Sequence, residues 1–197
     1  MNIFRLLIIC GIGFLQLSCQ PKINDIASLN EFIKSEKNGL IVKKKIHEID
    51  VTMKYLPWQL IALRYRTKED KNDTVINKLS KNCFFLLSFS KDGKELLNQL
   101  DFSTYSEMVQ ILSFRMQDKI SALSGNNAVP VQDCSFQQTF GLSSANELLI
   151  AFEADKIKSV TDLKIEVNEF GLNLGSLVFD FNVHNIKTLR ALNYKEL

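Results

Sequence analysis

Three stretches of this chain alternate apolar and polar side chains with a period of two. Ile49, Val51, Met53 and Tyr55 interleave with Asp50, Thr52 and Lys54. Leu163, Ile165 and Val167 interleave with Lys164, Glu166 and Asn168, and Phe179, Phe181 and Val183 with Asp180, Asn182 and His184. Only an extended backbone sends successive side chains to opposite faces, so each stretch reads as a strand with one face buried and one wet. CFFLLSFS (83–90) differs. It is apolar almost throughout, is bounded by the turn-like Lys91-Asp92-Gly93, and suits a strand buried on both faces. LLIAFEA (148–154) is also strand-like. FGLNLGS (170–176) joins the last two alternating stretches, and Gly171 and Gly175 permit the positive φ angles of a hairpin loop longer than two residues. Short connections make the pairing mostly antiparallel. Six to eight strands with one to three covering helices predict an α+β, β-rich fold, sandwich-like, with two sheets packed together or a sheet under helices.

Helical spacing is scarcer. Pro57 ends the first alternating strand and opens a short helix, PWQLIALRYR, in which Trp58, Ile61 and Tyr65 share the face toward the sheet. Ile26, Leu29 and Ile33 are spaced for another helix within the polar stretch 20–38. Between 103 and 125 two readings compete. Thr104 and Glu107 make a capping-box pattern, and Tyr105, Val109, Leu112, Met116, Ile120 and Leu123 keep helical spacing up to Gly125. Alternatively the helix ends near Ser113 and FRMQDKISAL is a strand. SGNNAVP is then a hairpin loop leading to VQDCSFQQTFGL, and the β character of the C-terminal half favours this split. Lys43-Lys44-Lys45 fits an edge strand, where lysines oppose edge-to-edge pairing.

The N-terminus carries a different kind of information. MNIFRLLIICGIGFLQLSC places one cation, Arg5, before an apolar run from Leu6 to Leu15. That run is well short of the roughly 20 residues of a membrane-spanning helix and has the form of a signal peptide. Leu17-Ser18-Cys19 resembles the lipobox of bacterial lipoproteins, with Gln16 where leucine is usual and Leu15 one place further back. The resemblance implies a signal peptide over 1–18, an acylated Cys19 as the mature N-terminus, a lipidated tether over 19–38 and a single globular domain over 39–197. The alternative is an ordinary secretory signal that contains a cysteine. Gln20, rather than the Asp that retains lipoproteins at the inner membrane of enteric bacteria, points to the outer membrane and leaves the leaflet open. The Ile-, Lys-, Asn- and Phe-rich composition resembles that of Bacteroidetes-type lipoproteins of uncharacterised function.

At 46% hydrophobic and 10% aromatic residues, the chain can bury a core. With 24 basic and 22 acidic side chains, it lacks the electrostatic footprint of a nucleic-acid binder. Beyond Cys10 and Cys19 it holds Cys83 and Cys134, which either form a disulfide in an oxidising compartment or are small buried hydrophobes; their spacing fits no zinc pattern. Neither His47 nor His184 has a metal-spaced partner. HEID at 47–50 is not a zinc-protease motif, because Val51 stands where the second histidine would be. No serine sits in a nucleophile elbow, and GLNLGS lacks a phosphate-loop lysine. These readings nominate no catalytic residue, metal or cofactor. Trp58 and Phe170 are the candidate ligand or partner contacts, although core is the commoner place for such residues and the favoured reading of both.

The expected role is a membrane-anchored, non-enzymatic scaffold or accessory subunit that meets an envelope protein partner, and it predicts an exposed apolar patch. A lipoprotein binding a small ligand or glycan predicts a pocket lined by aromatics. A hydrolase predicts two or three buried acids converging on one cleft.

Overall fold

The computed structural model describes residues 23–64, 73–124, 127–158, 162–193 and 195–197. Cys19 and the signal segment lie outside these residues. In chain order the elements are α1 (Ile26–Lys34), β1 (Ile41–Ile46), β2 (Ile49–Leu56), α2 (Trp58–Arg64), α3 (Asp73–Ser80), β3 (Asn82–Lys91), β4 (Lys94–Glu95), α4 (Phe102–Phe114), β5 (Ile120–Ser124), β6 (Asn127–Pro130), β7 (Asp133–Gln137), β8 (Asn146–Glu153), α5 (Ala154–Lys158), β9 (Leu163–Val167), β10 (Leu177–Phe181) and α6 (Val183–Arg190). One sheet runs β1-β2-β3-β8-β7, with β4 paired to the end of β3; the other runs β10-β9-β5-β6. Every pairing is antiparallel. The α+β, β-rich expectation holds, with ten strands and six α-helices among the described residues where fewer of each were expected.

The alternation read from sequence dictates how the sheets face. Val51, Met53 and Tyr55 of β2 turn inward with Phe85, Leu87 and Phe89 of β3 and Leu148, Ile150 and Phe152 of β8. They meet Ile165, Val167, Phe179 and Phe181 of the second sheet in one continuous core. The contact is direct: the Phe85 ring lies edge-on to Phe181 at 4.9 Å between centroids, and also to Tyr55 and Phe152. β3 occupies the middle of its sheet, and on its outer side Phe84 packs with Ala151 under Trp58 and Ala62 of α2. The burial on both faces expected for 83–90 holds at Phe84; beyond it the inner side stays buried through Phe89, while Leu86 and Ser88 on the outer side are half-buried.

At the open edge, β1 carries the lysine triplet. Lys43 pairs with Glu36 at 2.6 Å, Lys45 lies 3.6 Å from Asp50, and Lys44 sits over the Phe179 ring. Each exposed pair contributes little to stability. Their physical effect is to make the edge charged and unattractive to another strand.

Local signals moved several boundaries. α1 begins in a capping box, with Asp25 accepting from Ser28 N and Ser28 Oγ accepting from Asp25 N, and it buries Leu29 and Ile33 in the main core. Residues 26–38 therefore belong to the folded domain rather than to a tether. α4 starts one turn before the expected cap, because Asp101 accepts from Ser103 N and Thr104 N and is itself a strong N-cap. The split of 103–125 is correct, but a 3₁₀ turn over Met116–Asp118 delays the strand to Ile120. Asn127–Pro130, expected as loop, is the returning strand of the hairpin, and β7 instead joins the other sheet beside β8. The last strand stops at Phe181. Asn182 caps α6 by accepting from Asn185 N, and the apolar spacing changes from two to three at Val183, Ile186 and Leu189. Gln59, fully buried, then holds the end of α6 through its Nε2, which lies 2.7 Å from the Leu189 carbonyl oxygen and 3.1 Å from that of Leu192.

Cys83 and Cys134 form no disulfide and flank β8 on opposite sides, Cys83 beside Phe152 and Cys134 beside Ile150. Two inter-strand spacings separate them by about 10 Å, beyond the roughly 7 Å that a disulfide tolerates. The disulfide reading is therefore replaced by the small-hydrophobe one. Burial, and then the neighbouring Asp133, push the Cys134 thiol up to about 12. We expect both thiols to be alkylated in the unfolded protein without reductant, and both to react slowly at pH 8 while it is folded. Mass spectrometry after iodoacetamide treatment reads this directly, and a modification that needs prior reduction contradicts it.

Candidate functional site

The β3–β4 turn, with Asp92 and Gly93 both at positive φ, sends the chain back along β3 and carries Glu95 into the protein. Glu95 is only 2% exposed. A buried carboxylate must be compensated, and here the compensation is structural. Its Oε1 accepts from Thr139 Oγ1 and, at 3.0 Å, from Ser143 N. Its Oε2 accepts from Gly141 N at 2.9 Å and from Asn98 Nδ2 at 3.1 Å. Asn146, also buried, donates to the same oxygen and accepts from Leu97 N. Burial pulls the Glu95 pKa upward, but the donors, led by Thr139, Gly141 and Ser143, outweigh it and hold the carboxyl below its ordinary value.

One carboxylate thus fixes the loop between β7 and β8. Within that loop Leu142 N donates to Thr139 O at 3.0 Å, closing a four-residue turn. Both central residues have positive φ, Phe140 at 51° and Gly141 at 85°. This is a type I′ turn, in which Asn-Gly is the usual pair. A phenylalanine in the first central place crowds its Cβ against the backbone, at about 1–2 kcal/mol. The strain coincides with display: Phe140 is 73% exposed and Leu142 92%. Phe140 shares a small cleft with Tyr105, and the exposed Phe102 stands one helical turn before Tyr105 on α4. The result is an apolar tip on a rigid mount, at the end of the first sheet where β3 finishes and β8 begins.

A second carboxylate does the same work inward. Glu169 accepts from the backbone N–H groups of Phe170, Gly171, Asn173 and Gly175 at 2.6–3.1 Å. Burial opposes its ionisation, and the hydrogen bonds from Gly171, Gly175 and Asn173 more than offset this, so its pKa is also lowered. The loop so fixed presses Phe170 edge-on to Phe89 at 5.4 Å. Gly171, at φ 120°, adopts a backbone conformation that strains any other residue, and a Cβ there would lie 2.4 Å from Met108 Cε and force the methionine tip to shift.

The residues singled out from sequence are therefore core. Trp58 is 9% exposed at the start of α2, packed on the outer side of the first sheet, and Phe170 is 4% exposed on the other side of that sheet. The structure does not bring them together, and neither supplies a ligand-facing aromatic surface. Glu95 is the one carboxylate that is fully buried among the described residues, and both its oxygens are occupied by structural donors. The converging acids required of a hydrolase are not assembled there. Sequence reasoning missed the Glu95–Phe140 arrangement, although two signals were present: Asp-Gly just ahead of Glu95, and a Gly directly after Phe140.

Removing the Glu95 carboxylate should loosen the tip. Glu95→Ala is expected to lower stability by about 2–4 kcal/mol, through buried donors left unpaired, as measured by urea unfolding. Because Glu95 and Glu169 have lowered folded-state pKa values, their contribution is complete above the ordinary carboxylate range. It is lost as pH falls through that range, from about pH 5 toward pH 3. Glu95→Gln should flatten the fall of Tm over this window; an unchanged profile contradicts the assignment.

No protein-family model, no curated protein and no solved structure matches this chain.

Proposed function

We propose that this chain is an envelope lipoprotein, held at a membrane through Cys19, that acts without catalysis as a docking module for another protein. The observation that carries this reading is the Glu95-clamped turn that holds Phe140 and Leu142 out in water. An exposed aromatic costs solubility and, at positive φ, also conformational energy. A chain gains from that arrangement when a partner covers it, because aromatic anchors on rigid mounts lose little entropy on binding.

The residues flanking the turn in sequence favour a protein over a lipid surface. From Ile120 through Asp155 the chain contains no Lys or Arg, while Asp133, Glu147, Glu153 and Asp155 are acidic. Segments that enter anionic bilayers rely on cations beside their apolar residues. No described helix is long and apolar enough to cross a membrane, so in this reading membrane attachment rests on the lipid. The outer membrane is the proposed location, by the Gln20 argument.

Two measurements test the reading. Metabolic labelling with a clickable fatty acid should mark the wild-type protein and leave Cys19→Ala unmarked; label on both, or on neither, removes the anchor. Phe140→Asn should separate stability from docking. It relieves the left-handed strain and raises Tm by about 2–4 °C. It also reduces the envelope proteins captured by crosslinking in intact cells. Unchanged capture would mean that the turn is not the docking surface.

A further inference from the structure

The outer face of the first sheet holds a groove of about 700 Å³ between α2 and the Glu95-clamped loop, bordered by Ile61 and Arg64 at one end and Thr139 at the other. Its floor follows from strand register. Lys54 of β2 pairs with Leu86 of β3, Leu86 with Leu149 of β8, and Leu149 with Ser135 of β7. These four residues form one row across the sheet, about 14 Å long at normal strand spacing. The adjacent row ends in Glu147 and Gln137. α2 and α3 cover the neighbouring row, where Phe84 and Ala151 are buried, and stop short of this one.

The row is chemically graded. Lys54 stands at one end with Arg64 on the groove wall, leucines make the middle, and Ser135 with Gln137 offers hydroxyl and amide groups at the far end. The two cations face a single carboxylate, Glu147, among the groove's described residues. Thr139 belongs both to the groove and to the donors of Glu95, so the groove runs up to the turn that displays Phe140.

We infer that this groove receives a short extended segment of the docked protein, with an acidic side chain toward Lys54 and Arg64 and an apolar one on Leu86 and Leu149. The inference rests on the docking reading and adds to it the chemistry of the partner. A row of about 14 Å matches four residues of extended chain. The neutral hydrogen-bonding end at Ser135 and Gln137 suits peptide backbone. The apolar tip supplies the anchor and the groove the specificity, since charge complementarity selects partners more than it tightens them.

The test places a photo-crosslinking residue at Gln137, in the groove, or at Leu142, on the turn, in the full-length protein in intact cells. One and the same protein captured from both positions is expected. Adding Lys54→Glu with Arg64→Glu should lower capture at Gln137 about tenfold or more, with Tm unchanged. Lys54→Arg with Arg64→Lys should keep it within about threefold. Capture from Leu142 alone overturns the groove and leaves the docking reading standing, whereas capture from neither position overturns both. A different protein, a sugar or a lipid at Gln137, or capture there that is indifferent to the charge reversal, overturns the inference.

Discussion

The ring of Phe85 is the point through which the two sheets hold each other. It meets Tyr55 and Phe152 from the strands on either side and Phe181 from across the sandwich, each edge-on. Replacing such a side chain with alanine typically costs about 3–5 kcal/mol. The geometric consequence is larger than the energy. With Phe85 pointing inward, Phe84 and Leu86 must point outward, and a slip of one residue would exchange a buried phenylalanine for one under α2. The register of β2, β3, β8 and β7 is thereby locked, and with it the row Lys54, Leu86, Leu149 and Ser135 on the outer surface. The outer groove is a by-product of how the core is packed.

Loops in a β-rich domain must satisfy their backbone N–H groups without a ladder. Here two glutamates supply that need, Glu95 for the β7–β8 loop and Glu169 for the β9–β10 loop. Each gathers donors from residues near in space and turns a segment without secondary structure into a fixed shape. The two loops are put to opposite uses. Glu169 presses its aromatic, Phe170, into the core, while Glu95 holds Phe140 outside. What differs is which residues take positive φ. In the Glu169 loop they are Gly171, Asn173 and Gly175, and Gly171 lets the backbone approach Met108; in the Glu95 loop Phe140 precedes Gly141 and aims a side chain at solvent.

These differences explain what the sequence disclosed. Strands appeared wherever one face was wet and the other dry, because period-two burial is written in the composition of each face; β2, β9 and β10 are examples. β3 was legible by its lack of alternation, and β1 by its lysines. The helix ends were harder. Asp101 and Thr104 are both good caps by residue type, and it is Asp101 that accepts from Ser103 N and Thr104 N and starts the helix one turn earlier. Trp58 and Phe170 are recognition residues by type, but burial is a property of the fold and not of the residue. Glu95 was hidden for a related reason. Its donors come from residues 98, 139, 141, 143 and 146, and nothing in the local sequence of KEL indicates that a loop more than forty residues away will close on it.

Connectivity places the two ends of the proposed function apart. Ile23 shares a cleft with Leu192 and Leu197, and Leu192 is held at Gln59, beside the end of the first sheet where β2 finishes and β3 begins. The Phe140 turn lies at the other end of β3, whose ten residues span about 30 Å. Cys19 precedes Ile23 by four residues in sequence, about 14 Å at full stretch. A lipid there would grip the domain by its α1–α6 end, so anchor and docking turn would not compete for one surface. A lipid chain and an exposed phenylalanine gain from leaving water by the same physics. In the proposed reading, the separation by one strand length, together with the absence of Lys and Arg from residues 120–155, would give each a different destination: the bilayer for Cys19 and a protein cleft for Phe140.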